Sequence, residues 1–311
     1  MKIYHELRDY RSDCPRAVVA LGMFDGVHIG HARIIRRAVE LAKWLHGTSV
    51  VFTFLNHPLS VLAPGHEPPA IASRTLCAQE IAKLGADVLV MIPFDRELAA
   101  WSADAFLARL QADFAPRYVV TGPNYTFGRG GVGDRAYLAR EGAAYGFETI
   151  ICEAVTAGGA LVSSTRIRGL LAAGNLDQAE AFLGRPFSLL GPVVHGDARG
   201  RTIGFPTANF DLPDRQVSLP NGAYAAAGLY AGRRLAGMAN IGDNPTFGGC
   251  KRRLEVHFED FHEDVYGEMM EIQFFAHLRG EVRFDGVEAL KRQLQKDREH
   301  ARAVFAARFG K

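Results

Sequence analysis

The segment Ala20-Leu-Gly-Met-Phe-Asp-Gly-Val-His-Ile-Gly-His31 constrains this chain more than any other. It leaves an apolar strand through glycines and reaches His28 and His31, three residues apart, where a helix should begin. Ile34, Ile35, Ala38, Leu41, Ala42 and Leu45 then recur at the helical period. A helix N-terminus carries unpaired N–H groups and the positive end of the dipole, which suits a phosphate. Gly26 and Gly30 let the backbone approach such a group closely. Two imidazoles at the same point can donate hydrogen bonds to charge developing on phosphorus. This layout predicts nucleotidyl transfer.

The surrounding pattern predicts the scaffold. Apolar runs at Ala17–Leu21, Ser49–Phe54, Asp87–Ile92, Tyr118–Thr121 and Glu148–Cys152 alternate with helical patterns near His31–Leu45, Thr75–Leu84, Ala103–Gln111 and Asp134–Tyr145. Such alternation reads as an α/β, Rossmann-like parallel sheet covered on both faces, with ligands at the carboxyl ends of its strands. Two short helices follow, Thr165–Ala173 and Leu176–Leu183, with Asn175 placed to cap the second. Around Gly184-Arg-Pro186 the rhythm changes to short alternating runs: Leu189–His195, Thr207–Leu212, Gly222–Tyr230, Arg233–Ile241, Arg253–Phe261 and Met269–Leu278. Six strands without intervening helices, with Ala231-Gly232 as a tight hairpin turn, predict a small antiparallel barrel. An amphipathic helix near Val287–Ala307 ends the chain, with Val287, Leu290, Leu294, Ala301, Val304 and Phe305 on one side. The expected domains are 1–185 and 186–311.

Three further elements fall at strand-to-helix turns of the predicted sheet. Thr53-Phe-Leu-Asn-His-Pro58 places His57 before a proline in an extended turn, though alone it fits a plain loop equally well. In Gly122-Pro-Asn-Tyr-Thr-Phe-Gly128, Asn124 can hydrogen-bond a base or ring edge, while Tyr125 and Phe127 offer aromatic faces. Ser163-Ser-Thr-Arg-Ile-Arg168 opens a helix; a serine there is commonly a cap, and Arg166 and Arg168 add charge of the kind that binds pyrophosphate.

The second half carries its own constellation. Gly196, Gly200 and Gly204 form a close-approach loop that can fold over phosphates, without the lysine of a Walker-type loop. Thr207 and Asn209 follow on one strand face, and their neutral oxygens suit a Mg²⁺ that keeps most of its waters. Leu254, Val256 and Phe258 alternate with Glu255, His257 and Glu259, which puts the apolar set in the core. A carboxylate on the other face can accept a hydroxyl proton during phosphoryl transfer, or simply be a solvated surface group.

Taken in order, these motifs resemble the prokaryotic bifunctional riboflavin kinase/FAD synthetase family over nearly the whole chain. Gly22–His31, Thr53–Pro58, Gly122–Gly128 and Ser163–Arg168 match its adenylyltransferase half. Gly191–Gly204, Pro206–Asn209, Gly237–Phe247 and Leu254–His257 match its kinase half. The resemblance implies that the first domain adenylylates FMN with ATP to give FAD. There His28 and His31 would meet the ATP phosphates, with Gly22, Phe24, Asp25, Gly30, Asn124, Ser164 and Arg168 around the nucleotide. His57, Pro58, Tyr125 and Phe127 would then lie on the flavin side. It also implies that the second domain is a Greek-key barrel that phosphorylates riboflavin. Gly196, Gly204, Thr207 and Asn209 would hold Mg²⁺-ATP there, with Glu255 as the base for the terminal ribityl hydroxyl. The chain departs from the family pattern at Asn56, where proline is usual, and at Ala223, where valine is more frequent.

Other classes stay open on the residues alone: a single-activity adenylyltransferase whose barrel only binds flavin, a flavin-sensing protein without turnover, and an RNA-binding protein sharing the His-x-Gly-His element. Composition weighs on the last, since 36 Lys and Arg against 34 Asp and Glu leave a net charge of only +2. That argues against electrostatic capture of nucleic acid or membrane. Cys14, Cys77, Cys152 and Cys250 lie far apart, which predicts thiols in a reducing cytoplasm and no zinc site. The N-terminus lacks the apolar core of a secretory signal, and no run approaches a membrane span.

Overall fold

The computed structural model describes residues 1–10, 16–197, 199–246 and 249–310, and of 199, 244–246 and 249–251 the backbone alone. Cys14, Phe247 and the side chain of Cys250 lie outside the described residues. The chain divides into two compact units, Met1–Pro69 with Arg74–Ser164, and Ala70–Ser73 with Thr165–Lys311.

The first unit is built on six parallel strands, β1 (Lys2–Tyr4), β2 (Ala17–Leu21), β3 (Ser49–Phe54), β4 (Val88–Ile92), β5 (Pro116–Thr121) and β6 (Glu148–Ile151), in the order β1-β4-β3-β2-β5-β6. All five residues of β2 are buried, as expected of a strand covered on both faces. Helices α1 (Ile29–Trp44), α2 (Leu59–Leu62), α3 (Arg74–Lys83), α4 (Arg96–Ala100), α5 (Ala103–Phe114) and α6 (Arg135–Glu141) connect the strands. The chain leaves β2 through α1 to reach β3 on one side, whereas β5 lies on the other. The strand order therefore reverses between β2 and β5, the position where open α/β sheets bind ligands. Leu21 pairs with both Phe52 and Thr121, so β2 and β5 end level while β3 runs two residues further, to Phe54. A small hairpin, β7 (Thr156–Ala157) and β8 (Ala160–Leu161), follows β6 and turns through left-handed Gly158 and Gly159.

The second unit opens with α7 (Ser164–Ala172, from its second residue) and α8 (Leu176–Leu183). Asn175 caps α8 by accepting the Gln178 N–H at 3.3 Å. Six antiparallel strands with one short helix among them then follow: β9 (Phe187–Pro192), α9 (Arg199–Thr202), β10 (Ala208–Asp211), β11 (Gly222–Tyr230), β12 (Arg233–Thr246), β13 (Gly249–Phe258) and β14 (Met269–Arg279). Their order is β10-β13-β12-β11-β14-β9. Strands β11, β12 and β13 are consecutive neighbours and β14 returns beside β11, which is a Greek key. Beyond β9, Val194 donates its N–H to Asn209 O at 2.8 Å, so the two edge strands meet and the sheet curls toward closure. Left-handed Ala231 and Gly232 make the predicted hairpin turn between Tyr230 and Arg233. Strand β13 ends at Phe258, three residues before its expected end, because Asp260 turns the chain with φ 51°.

The terminal helix α10 (Val287–Phe309) packs Leu294, Val304 and Phe305 around buried Ala301, against Phe205, Ala225, Ala227 and Phe275 of the barrel. Val287 does not join this stripe and stays mostly exposed.

Candidate active sites

The first site forms where α1 begins. His28 caps this helix with its ring: Nδ1 accepts the backbone N–H of His31 at 3.2 Å. An acceptor Nδ1 puts the proton of neutral His28 on Nε2. The His28 and His31 rings stack at 3.6 Å, 16° from parallel, and buried Phe24 meets His31 edge-on at 5.4 Å. Loss of solvent, with the second imidazole beside it, holds His31 well below the ordinary histidine pKa. Its Nδ1 is enclosed and has no hydrogen-bond partner among the described residues. The loop before α1 is strained: Phe24 and Val27 adopt φ of 35° and 42°, a region that disfavours β-branched residues in particular. Gly22 is required here, because a Cβ would sit 2.7 Å from the Phe24 ring.

A cavity of about 430 Å³ opens over this corner, lined entirely by the first unit. Its walls bring together Gly22, Phe24, His28, Gly30 and His31 from the β2–α1 turn, and His57 and Pro58 after β3. Asn124 and Tyr125 come from the loop after β5, and Ser164 from the start of α7. Asp25 is buried beneath the loop, and its carbonyl accepts the Ser164 hydroxyl at 3.5 Å. Burial pushes the Tyr125 phenol far above its ordinary pKa, so it remains protonated.

Three expected residues, Asp25, Phe127 and Arg168, are not in this wall. Phe127 sits in the hydrophobic core with Phe106 and Tyr137, stacked under Tyr125 at 6.0 Å. Phe127 therefore packs beneath Tyr125, the aromatic that does line the cavity. Arg168 lies further along α7, within the second unit, and does not line the cavity. Glu153, Leu161 and Val162, from the β7–β8 hairpin region, complete the wall without a signature in the sequence. Two-residue strands leave no periodic signal that could have found them.

The second site lies on the barrel. Cross-strand register sets Asn209 opposite Glu255, Glu255 opposite Asn240, Asn240 opposite Ala223, and Ala223 opposite Arg279. A cavity of about 750 Å³ follows this row and is lined by Thr207, Ala223, Asn240, Glu255, His257 and Arg279. Phe205, Met238, Phe284 and Leu294 supply an apolar wall. Asp297 of α10, 2% exposed, receives Arg279 at 2.8 Å and Gln293 at 2.8 Å and joins the helix to the cavity floor. A second space of about 510 Å³ lies alongside, lined by Arg201, Thr207, Phe258, Phe261, His262 and Tyr266. Thr207 faces both.

Asn209 is buried and donates to Thr207 O at 3.3 Å. Gly196 leaves it room, since a Cβ there would lie 2.4 Å from Asn209 Nδ2. Gly204 holds a left-handed turn after α9, with φ 85°. Neither glycine lines these two cavities; Gly196 has a packing role and Gly204 a conformational one. Among the described residues no cluster of three or more His, Cys, Asp and Glu could cage a metal. Thr207 lines both cavities and Asn209 neither, so the Thr207 hydroxyl and the Glu255 carboxylate are the oxygens that suit a Mg²⁺ bound chiefly by water and phosphate.

A parallel sheet with a helix N-terminus at its switch point, joined in one chain to a Greek-key barrel, defines a two-unit enzyme of nucleotide chemistry. Family models for FAD synthetase and riboflavin kinase match residues 11–166 and 183–305. Similar proteins include the bifunctional riboflavin kinase/FMN adenylyltransferases of Listeria monocytogenes (38% identical, 93% of this chain and 92% of the relative), Escherichia coli K12 (37%, 93% and 92%) and Bacillus subtilis (33%, 98% and 97%). A crystal structure described as a macrolide-efflux protein from Streptococcus pneumoniae has a TM-score of 0.86 at 33% identity, over 96% of this chain and 98% of that one. No helix among the described residues of this chain is long and apolar enough to cross a membrane. The chain belongs to the bifunctional riboflavin kinase/FMN adenylyltransferase family.

Proposed function

We infer that this chain converts riboflavin to FMN and then FMN to FAD, consuming one ATP at each step. One observation carries the reading: each matched half contains its own cavity, lined by residues of a single unit. We assign phosphorylation to 186–311 and adenylylation to 1–185. The test is to incubate the pure protein with riboflavin, ATP and Mg²⁺ and resolve the flavins over time. FMN should appear first and FAD second; FMN without FAD, or neither, defeats the assignment.

For adenylylation, a phosphate oxygen of FMN attacks the α-phosphorus of ATP in line, and the bond to pyrophosphate breaks. The FMN phosphate is already ionised near neutral pH, so the protein mainly positions two anions and neutralises developing charge. The His28 tautomer supports this role, because it presents Nε2–H as a donor. His31 begins neutral, and approaching phosphates favour its protonated form. The N-terminus of α1 adds its dipole at Gly30 and His31. Asn124 suits a base edge, while His57, Pro58 and Tyr125 take the flavin side. Ser164, in the cavity wall, would help hold the triphosphate.

For phosphorylation, the terminal ribityl hydroxyl attacks the γ-phosphorus of ATP and ADP leaves. Glu255 accepts the hydroxyl proton as the new P–O bond forms. Riboflavin fits the larger cavity with its apolar wall, and ATP the neighbouring one, with the transferred group at Thr207 between them. Thr207 would hold Mg²⁺ there, with Asn209 bonded behind it. When bound, the ion neutralises charge on the ATP phosphates. Buried thiols at Cys77 and Cys152 are in keeping with a reducing cytoplasm.

A further inference from the structure

Asn56 does not line the first cavity, yet it holds the corner that does. Strand β3 ends at Phe54, and Leu55 N–H still donates to Ile92 O at 2.8 Å, one step beyond the β3–β4 ladder. The main chain then turns away toward His57 and Pro58, and the Asn56 side chain takes over the pairing. Its Oδ1 accepts the Phe94 N–H at 2.8 Å, and its Nδ2 donates to Phe94 O at 2.9 Å. The amide orientation is settled by its partners, since an N–H can only donate and a carbonyl only accept. Nδ2 also donates to Ser60 Oγ at 2.8 Å, inside the turn that follows. Phe94 is itself anchored, with its ring edge-on to Phe54 at 5.2 Å, and it directly precedes Asp95, the cap of α4. One side chain thus ties both sides of the His57–Pro58 corner to the end of β4. From outside, Arg74 Nε donates to Leu55 O at 2.6 Å.

We propose that Asn56 is a positioning residue for FMN in the adenylylation step, acting through the corner formed by His57 and Pro58. This rests on the reading that His57 and Pro58 lie on the flavin side of the first cavity. A corner held by three hydrogen bonds keeps a flavin-facing surface in place without ordering it at each binding event. The corner forms only one wall, so the nucleotide end at His28 and His31 is independent of it.

The experiment compares N56A, S60A and H57A in the full chain. Each is assayed for FAD formation from supplied FMN and for riboflavin phosphorylation. N56A should raise KM for FMN about tenfold, and S60A, which loses one of the three bonds, about threefold. KM for ATP should change less than twofold in both, and riboflavin phosphorylation should be unaltered. Fluorescence of the two tryptophans, Trp44 and Trp101, both in the first unit, checks that this unit is folded. If the N56A unit unfolds, the decision rests on S60A. Equal rises in the two KM values would mean general loosening and overturn the proposal. If H57A raises KM for FMN while N56A and S60A leave it unchanged, positioning by Asn56 is refuted and the flavin-side reading survives. If H57A also leaves it unchanged, that reading fails and the inference falls with it.

Discussion

The imidazole of His28 lies flat against that of His31, ring centroids 3.6 Å apart, while its Nδ1 caps the helix on which His31 sits. One side chain therefore terminates the helix, selects its own tautomer and shields its neighbour. Replacing His28 or His31 by alanine should abolish FAD formation, by about a hundredfold to a thousandfold in kcat if the cost of an oxyanion-hole donor transfers. FMN formation should persist, because Glu255 and its cavity belong to the other unit. Parallel assays of the two reactions decide this. Equal loss of both would contradict the separation of the sites.

His31 also predicts a pH dependence of stability. Its pKa in the folded chain lies well below 6.5, because burial and the adjacent imidazole oppose its charge. The unfolded chain therefore binds more protons just below pH 6.5 than the folded chain does, and acidification favours unfolding. Stability of the first unit should be flat above about pH 7 and fall as pH drops through 6.5. H31Q removes the titrating group and should flatten that slope. Urea unfolding at pH 7.5 and 5.5, followed by tryptophan fluorescence, measures the difference. An unchanged slope in H31Q would place its origin elsewhere.

What the sequence discloses depends on how much each residue's neighbourhood repeats. Ala17–Leu21, Ser49–Phe54 and Gly222–Tyr230 are found at their expected bounds because unbroken apolar or small-residue runs end at turn signals. The two-residue strands β7 and β8 and the edge strand Lys2–Tyr4 are too short to show a period. Phe127 and Tyr125 look alike in a loop motif, and only the core beneath the loop distinguishes the packed ring from the lining one. Asp297 follows the same logic in reverse. A carboxylate among Lys296 and Arg298 on a helix reads as solvated, yet this one is buried against Arg279. The turns after β2, β3 and β5 were legible, since each lies at the carboxyl end of a strand of the parallel sheet, but the side chains that complete each cavity come from segments without such a signature.

Glu255 stands between two asparagines, Asn209 and Asn240, across three strands. Neither neighbour can take a proton from a hydroxyl, so Glu255 is the one carboxylate in that row. E255Q keeps the shape and removes the basic oxygen. Riboflavin phosphorylation should fall by about a hundredfold or more, the usual share of a general base. FAD formation from supplied FMN should be retained. Unchanged phosphorylation in E255Q would remove the kinase role of this residue and favour a barrel that only binds flavin.

Gly196 offers a test of the Thr207–Asn209 pair without replacing either residue. A methyl group on its Cα would lie 2.4–2.6 Å from the Asn209 amide, closer than real contacts allow. Asn209 has little freedom to yield, because it is buried and its backbone is pinned to Val194. The G196A side chain must therefore displace the amide and break its bond to Thr207 O. KM for ATP in riboflavin phosphorylation should rise about tenfold, as when a positioned hydrogen-bonding group is lost. KM for ATP in FAD formation should not move, since that cavity belongs to the first unit. Raising Mg²⁺ should recover part of the G196A defect if the Asn209 amide steadies Thr207 at the ion. A defect indifferent to Mg²⁺ would assign Asn209 to the nucleotide alone.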